Sequence, residues 1–340
     1  MTTTMTVSIV LFESAADVEG CLAALQAQER PPDQVVIIDN GSNDDGAAIA
    51  RRVMRDARVE RLPVNAGFAA AHNLAIDMAP GDIHAVLNPD CRLAPGYLRM
   101  AEATLAGDAG IGSMTGRLLR YRDDPDGGPL LEQDDDVLDS TGMIAFRNRR
   151  VLDRGSDEPA VGRYPTSEDV FGASGAAAVY RRAMLEDVAF GREFFDERFF
   201  TYREDVDLAW RALLLGWRCR YEPSALARHR RRVTPGRRRQ LPNAINRRSV
   251  ANRWRMLAKN ELGAGWRRDG LRIIARDIGI LGYAAVREQT TLAAVLDVAR
   301  DARRLQAWRR DLMRRRSIDP EAMLRWFEGS PPERARVGSA

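Results

Sequence analysis

The N-terminal part of the chain switches repeatedly between continuous apolar runs and apolar positions spaced three to four apart. Val7-Ser-Ile-Val-Leu-Phe12 and Gln34-Val-Val-Ile-Ile-Asp39 are short unbroken runs, the pattern of strands buried on both faces. Between them, Val18, Cys21, Leu22 and Leu25 recur at helical spacing over Asp17 to Gln28, and Pro31-Pro32 ends that helix. A helix over 47–56, a strand over 59–62, a loop over Asn65–Asn73 and a strand ending at Ala85-Val-Leu-Asn-Pro-Asp90 follow. Strands alternating with helices predict an α/β fold with a right-handed, mostly parallel central sheet flanked by helices. From Leu241 onward the character changes. Glycine thins out, and Ala, Leu and Arg recur at helical spacing over 244–260, 270–287, 291–316 and 320–327. The expected organisation is a catalytic unit over 1–240, a helical region over 241–328 and a disordered tail over 329–340.

Two acidic elements stand out against this pattern. Asn88-Pro-Asp90 lies just past a strand's carboxyl end, where ligands gather in open α/β sheets. A carboxylate there can hold Mg²⁺ or Mn²⁺, which take oxygen ligands and bridge to phosphates. The second element, Glu204, Asp205 and Asp207, follows the aromatic run Phe199-Phe-Thr-Tyr202 and precedes an apolar helical pattern that Gly216 is placed to stop. Acids in a first turn also simply cap a helix. Asp207, two residues beyond Asp205, points elsewhere on the helix and reads as structural. No Gly-x-Gly-x-x-Gly follows the first strand and no Gly-Lys-Ser/Thr loop is present, which disfavours dinucleotide dehydrogenases and P-loop enzymes.

These pieces, in this order, resemble the inverting family 2 glycosyltransferases of GT-A fold, in their bacterial rhamnosyltransferase-like branch. The likeness runs over residues 5–235 and is carried by Val7–Phe12, Val35–Asp45, Asn65–Asn73, Leu87–Asp90, Gly172–Ala178, Phe194–Arg211, the stretch from Gly216 to Pro223, and His229. It implies a nucleoside-diphosphate sugar donor. Asp39 would accept a hydrogen bond from the N3–H of uracil or thymine, Phe12 would line the base pocket, and Asn65 and Asn73 would shape the nucleotide loop. Asp90 matches the last acid of an Asp-x-Asp motif that holds Mg²⁺ or Mn²⁺ on the diphosphate, and His229 would reach the same metal or the diphosphate. Asn88 replaces the motif's first acid with an amide, a weaker cation ligand. The Glu204-Asp205 pair matches the catalytic acids. Inversion needs one base on the acceptor side, here Asp205, with Glu204 orienting the acceptor or tuning that base. Glu204 as the base is the alternative. L-Rhamnose from dTDP-rhamnose is the implied transfer, with a UDP-sugar donor (galactofuranosyl or hexosyl) or a non-catalytic scaffold as alternatives. Glycan, lipid-linked and natural-product acceptors all fit.

Composition adds limits. The chain of 340 residues is 45% hydrophobic and carries a formal net charge of +4, with Lys259 its single lysine. No run reaches the roughly 20 apolar residues of a membrane span, and Met1-Thr-Thr-Thr lacks a signal peptide's basic start. Cys21, Cys91 and Cys219 are scattered, which fits a reducing compartment. A cytoplasmic protein is expected, with attachment at the inner face of the plasma membrane as an alternative. Arg228–Arg239 is dense enough to clamp a diphosphate or anionic lipid, or to be solvated. Nucleic acid is not an expected partner, because no aromatic interleaving or reading motif accompanies the arginines. The Arg- and Trp-bearing C-terminal helices are expected to pack on the catalytic unit, on a second copy as a homodimer, or on a membrane surface. His72 reads as incidental and His84 as structural. Asp134–Asp136 reads as part of an exposed, mobile loop.

Overall fold

The buried runs form the centre of the molecule. A computed structural model describes residues 3–121, 133–231 and 243–330. Strands β1 (Met5–Leu11), β2 (Gln34–Asp39), β3 (Arg58–Arg61) and β4 (Ile83–Leu87) pair in parallel in the order β4-β1-β2-β3. Helices α1 (Ala15–Gln26), α2 (Gly46–Val53) and α3 (Phe68–Met78) connect them. β5 (Cys91–Leu93), α4 (Tyr97–Gly107), β6 (Ile111–Arg120), β7 (Leu138–Ser140), β8 (Met143–Ala145), β9 (Val151–Asp153) and β10 (Glu168–Val170) follow. The second half then supplies β11 (Ala177–Arg181), α5 (Arg182–Val188), α6 (Glu204–Leu214) and β12 (Arg218–His229). The main sheet reads β10-β12-β6-β11-β4-β1-β2-β3, with β11 antiparallel between β4 and β6. It is therefore parallel through its N-terminal half and mixed beyond β4.

Side-chain alternation puts apolar residues on both faces. Met5, Val7, Ile9 and Leu11 of β1 pack with α1 and α4, whereas Val36 and Ile38 of β2 meet Ala71 and Ala75 of α3 on the opposite face. The α3 helix starts within the segment expected to be a loop. Its face is built from Ala69, Ala71, Ala75 and Ile76, all buried, and small residues at helical spacing leave a faint apolar signal. β12 continues past Pro223 to His229, because the missing proline N–H falls in a register shift between Glu222 and Leu226.

The last helices are α7 (Asn243–Asn260), α8 (Gly263–Arg287), α9 (Ala294–Arg300), α10 (Ala302–Arg315) and α11 (Pro320–Arg325). α7 is tied to α6 through buried charge. Lys259 is fully buried and reaches Asp196 at 2.5 Å and Asp207 at 2.9 Å, while Asp207 also holds Arg211 at 3.0 Å and Asn260 at 2.9 Å. Each carboxylate oxygen is thereby compensated, which a buried charge requires. No helix among the described residues is long and apolar enough to cross a membrane. The 329–340 tail expectation falls outside the described residues from 331 on.

Candidate active site

The carboxyl ends of β1, β2 and β4 converge on one edge of the sheet. Phe12, directly after β1, is 46% exposed there, an apolar ring open to a stacking partner. Asp39, the last residue of β2, is buried. Its Oδ1 accepts from the Ser42 N–H at 2.9 Å. Its Oδ2 has no hydrogen-bond partner, and the Arg61 Nε lies 3.5 Å away. A buried carboxylate oxygen without a hydrogen bond is costly unless a ligand donor completes it.

Asn40, which sequence reasoning passed over, shapes the rest of this pocket. It donates to Asn65 Oδ1 at 3.0 Å and accepts from the Ala66 N–H at 2.8 Å, so Asn65 acts by folding its own loop. Gly67 then turns into α3 at φ +89°, where a Cβ would meet the Phe200 carbonyl oxygen at 2.5 Å. Asn73 differs from its expected role. On α3 it is buried, donates to the Phe195 carbonyl and to Glu197, and accepts from the Phe195 N–H at 2.9 Å. Its polar atoms are spent inside the fold because the segment is helical and faces inward.

At the end of β4 the Asn88 N–H donates to the Ala176 carbonyl, and Asp90 lies two residues on. Asp90 Oδ1 is 3.3 Å from His229 Nε2 at the end of β12, and His229 Nδ1 is 2.8 Å from Asp139. Asp139 is fully buried and was invisible to pattern reading. Burial opposes the imidazolium, but hydrogen bonds and charge from Asp139 and Asp90 prevail and push His229 up to about 9. The slot between the two carboxylates thus favours a cation. A metal ion there would displace the Nε2 proton. With Nδ1–H kept on Asp139, Nε2 would then stand beside the Asp90 carboxylate as a nitrogen donor with a carboxylate behind it, and the Asp90 oxygens are the donors that suit Mn²⁺ or Mg²⁺. Among the described residues no group of three His, Cys, Asp or Glu forms a ready-made metal cage. The remaining ligands would come from diphosphate and water.

The basic run differs from expectation where it is described. Arg228 grips Asp136 with bonds of 2.8 and 2.7 Å, Arg230 lies 3.5 Å from Asp17, and Arg231 pairs with Asp139 at 2.9 Å and with Asp153. These arginines face acids of the fold, Asp17, Asp136 and Asp139 buried and Asp153 half-buried. Residues 232–239 lie outside the described residues. Asp136 accordingly is buried, not part of an exposed loop, while Asp134 and Asp135 are exposed.

The acid pair sits on the other side of β4. Asp205 Oδ2 accepts from the Gly175 N–H at 3.1 Å and its Oδ1 from the Val206 N–H at 2.8 Å. Gly175 precedes the Ala176 that bonds Asn88, so the start of β11 links Asp205 to the strand end carrying Asp90. α6 comes this close because Gly172 has no side chain; a Cβ there would lie 2.3 Å from that of Ala209. Burial raises both acids above their ordinary values, and repulsion from Asp205 adds to the rise at Glu204. Backbone N–H bonds from Gly175, Val206 and Asp205 itself pull Asp205 back down, whereas Glu204 has only its own N–H for this and its Oε2 is buried without a hydrogen bond. Asp205 is thus the readier of the two to be ionised, and Glu204 the readier to hold a proton.

The turn into α6 is strained. Phe200, Tyr202 and Arg203 all have positive φ, at 62°, 68° and 72°. Asn252 of α7 clamps it, donating to the carbonyls of Phe199 at 2.9 Å, Thr201 at 3.1 Å and Tyr202 at 2.9 Å. Arg203 donates to the Ser249 carbonyl on the same helix. His84 and His72 are interior: His84 bonds Thr6 and Ser8, His72 bonds Ser8, and burial lowers both to about 3, keeping them neutral.

Comparison with known proteins bears on the family and the fold. The family model "Glycosyl transferase family 2" matches residues 6–189. An N-acetylglucosaminyl-diphospho-decaprenol L-rhamnosyltransferase of Mycobacterium tuberculosis is 30% identical over 266 residues, covering 70% of this chain and 79% of that protein. The mannosyltransferase PcManGT from Pyrobaculum calidifontis, solved with GDP-Man and Mn²⁺, superposes with a TM-score of 0.53 at 18% identity, covering 93% of this chain and 86% of that one. GalNAc-T7, solved with UDP, GalNAc and Mn²⁺, superposes with a TM-score of 0.56 at 14% identity; the match covers 76% of this chain and only 48% of that one. A strand-end acid cluster, an acid pair at a helix start and these likenesses together make the chain a glycosyltransferase of family 2, with the GT-A fold.

Proposed function

We propose that the protein is an inverting rhamnosyltransferase that uses dTDP-L-rhamnose and glycosylates a hydroxyl of a glycan or lipid-linked acceptor. The observation that carries the catalytic part is the position of Asp205, held by Gly175 one residue from the contact with the Asn88–Asp90 strand end. The rhamnosyl donor is supported by the 30% identity to a rhamnosyltransferase. The pyrimidine base is supported by the unsatisfied Asp39 Oδ2, which matches an N3–H donor that thymine and uracil share and cytosine lacks.

In this reading Phe12 stacks on the base and Asn40 and Asn65 hold the loop over the nucleotide. Asp90 and His229 would hold Mg²⁺ or Mn²⁺, which neutralises charge on the departing diphosphate. Asp205 accepts the acceptor hydroxyl's proton as that oxygen bonds the anomeric carbon. The bond from this carbon to the diphosphate oxygen breaks on the opposite face, so the configuration inverts. Glu204, protonated beside it, leaves Asp205 the single negative charge of the pair.

Calorimetry with dTDP, UDP and GDP, each with and without Mn²⁺, tests the donor side. dTDP and UDP should bind at least about tenfold more tightly than GDP, as expected where a buried polar group must be matched. Tighter binding of GDP would remove the role given to Asp39. Turnover with UDP-sugars but not with dTDP-rhamnose would replace the rhamnosyl assignment while leaving the mechanism intact.

A further inference from the structure

Most of the large apolar side chains left exposed among the described residues lie between Trp266 and Leu296. On α8, Leu271 is 87%, Ile274 49%, Ile278 64% and Val286 76% exposed. At 100° per residue these four fall within about 120° of arc and extend along about 22 Å of helix. Exposed Ala275, Gly282 and Ala285 fill the arc between them. The opposite face carries buried Asp269, Ile273 and Ala284. An unbroken apolar stripe of this length is uncommon on a free surface and marks a contact face.

Charge selects the occupant. Arg267, Arg272 and Arg287 are exposed on the same helix and make no ion pair among the described residues. Of the acids nearby, Asp269 pairs with Arg147 and Arg149, Asp277 with Arg253, Asp297 with Arg247 and Asp301 with Arg255, whereas Glu288, next to Arg287, bonds Thr291 and forms no ion pair among the described residues. Arg267 falls within the stripe's arc and Arg272 about 40° beyond its edge, so the stripe's N-terminal half carries positive charge without an acid paired to it. Arg287 projects about 160° from Leu271, away from the stripe and beside Glu288. A surface of anionic headgroups over acyl chains satisfies both features at once.

We propose that the outer face of α8 docks on an anionic phospholipid bilayer, its apolar stripe among the acyl chains and Arg267 and Arg272 against phosphates. The inference rests on neither the donor nor the general base assigned above. The full-length protein is sedimented with phosphatidylcholine vesicles with and without phosphatidylglycerol, at low and high salt, beside Ile278→Asp, Leu271→Asp and Arg272→Glu. The wild type should bind the phosphatidylglycerol vesicles preferentially and release them as salt rises. Each aspartate variant should bind about tenfold more weakly or worse, since a buried aliphatic side chain is replaced by a charge. Arg272→Glu should weaken binding at low salt only. Melting temperature and dTDP binding should not change, because all three positions are exposed. Absence of vesicle binding by the wild type, or binding that survives the aspartate substitutions, would overturn the proposal. So would a dimer in light scattering that Ile278→Asp dissolves, since a second copy would then cover this face.

Discussion

Replacing Asn252 with alanine tests how the acid pair is held. Two amide hydrogens serve three carbonyls of the 199–202 turn, and the amide oxygen accepts from Arg255 at 2.9 Å. The Phe199 carbonyl keeps the Thr201 N–H, so the loss falls on the Thr201 and Tyr202 carbonyls and on Arg255. At about 1 kcal/mol net per bond, and more for a buried group left unpaired, Asn252→Ala should destabilise the fold by about 2–4 kcal/mol. Spread over an unfolding entropy of about 2.1 cal/mol/K per residue, this lowers Tm by roughly 3–6 °C. The clamp also balances strain, since positive φ at Phe200, Tyr202 and Arg203 costs on the order of 1 kcal/mol each. Released from it, the turn relaxes and carries Glu204 and Asp205 with it, which should reduce kcat roughly 10–100-fold with little change in donor affinity. Differential scanning fluorimetry, calorimetry with dTDP and a transfer assay read the three effects. Asn252→Asp, the same shape with no donor toward the carbonyls, should be at least as damaging. An alanine variant within a degree of the wild type and within twofold of its kcat would refute the clamp, and so would an aspartate variant as stable as the wild type.

Asp205→Asn should reduce transfer about 10²–10⁴-fold while leaving donor binding nearly intact; retention of a third of the turnover would move the base to Glu204. Asp90→Ala should weaken donor binding and abolish its dependence on Mn²⁺, and wild-type affinity that EDTA leaves unaltered would reduce Asp90 to a turn residue. Because burial raises Asp205, the acid limb of kcat/KM should lie above the ordinary carboxylate value of about 3.9, and a limb at or below it would contradict the buried base. Glu204 has a folded value raised by burial and by Asp205, so the folded chain holds a proton that the unfolded chain releases. Its contribution to stability therefore falls as pH rises from about 4.3 toward the folded value. Glu204→Gln, which mimics the protonated form, should melt higher than the wild type at pH above neutrality, and a lower Tm there would count against the coupled pair.

Much of the fold was legible in the sequence because its signals are local. The runs at Met5–Leu11 and Gln34–Asp39 can bury both faces only as central strands, and the apolar spacing after Glu204 with Gly216 beyond it can only be a helix that stops there. The family likeness singled out Asp39, Asp90, Glu204, Asp205 and His229 as acids and a base at strand and helix ends, positions that chain order alone exposes. Tertiary structure decided which of these groups have partners. Asp139 behind His229, Asn40 bracing Asn65, Gly175 holding Asp205, and Lys259 between Asp196 and Asp207 all join segments far apart in sequence. No periodicity records such pairs, because a buried polar group is stabilised by whichever donor the fold brings to it. The same reason explains Asn73 and Asp136, which the sequence placed at a loop and on a surface. Small residues hid the helix that turns Asn73 inward, and a distant arginine made the burial of Asp136 possible. Pattern along the chain determined the scaffold and the kinds of residue at its edge, and compensation of charge across the chain decided which of them remain open to a substrate.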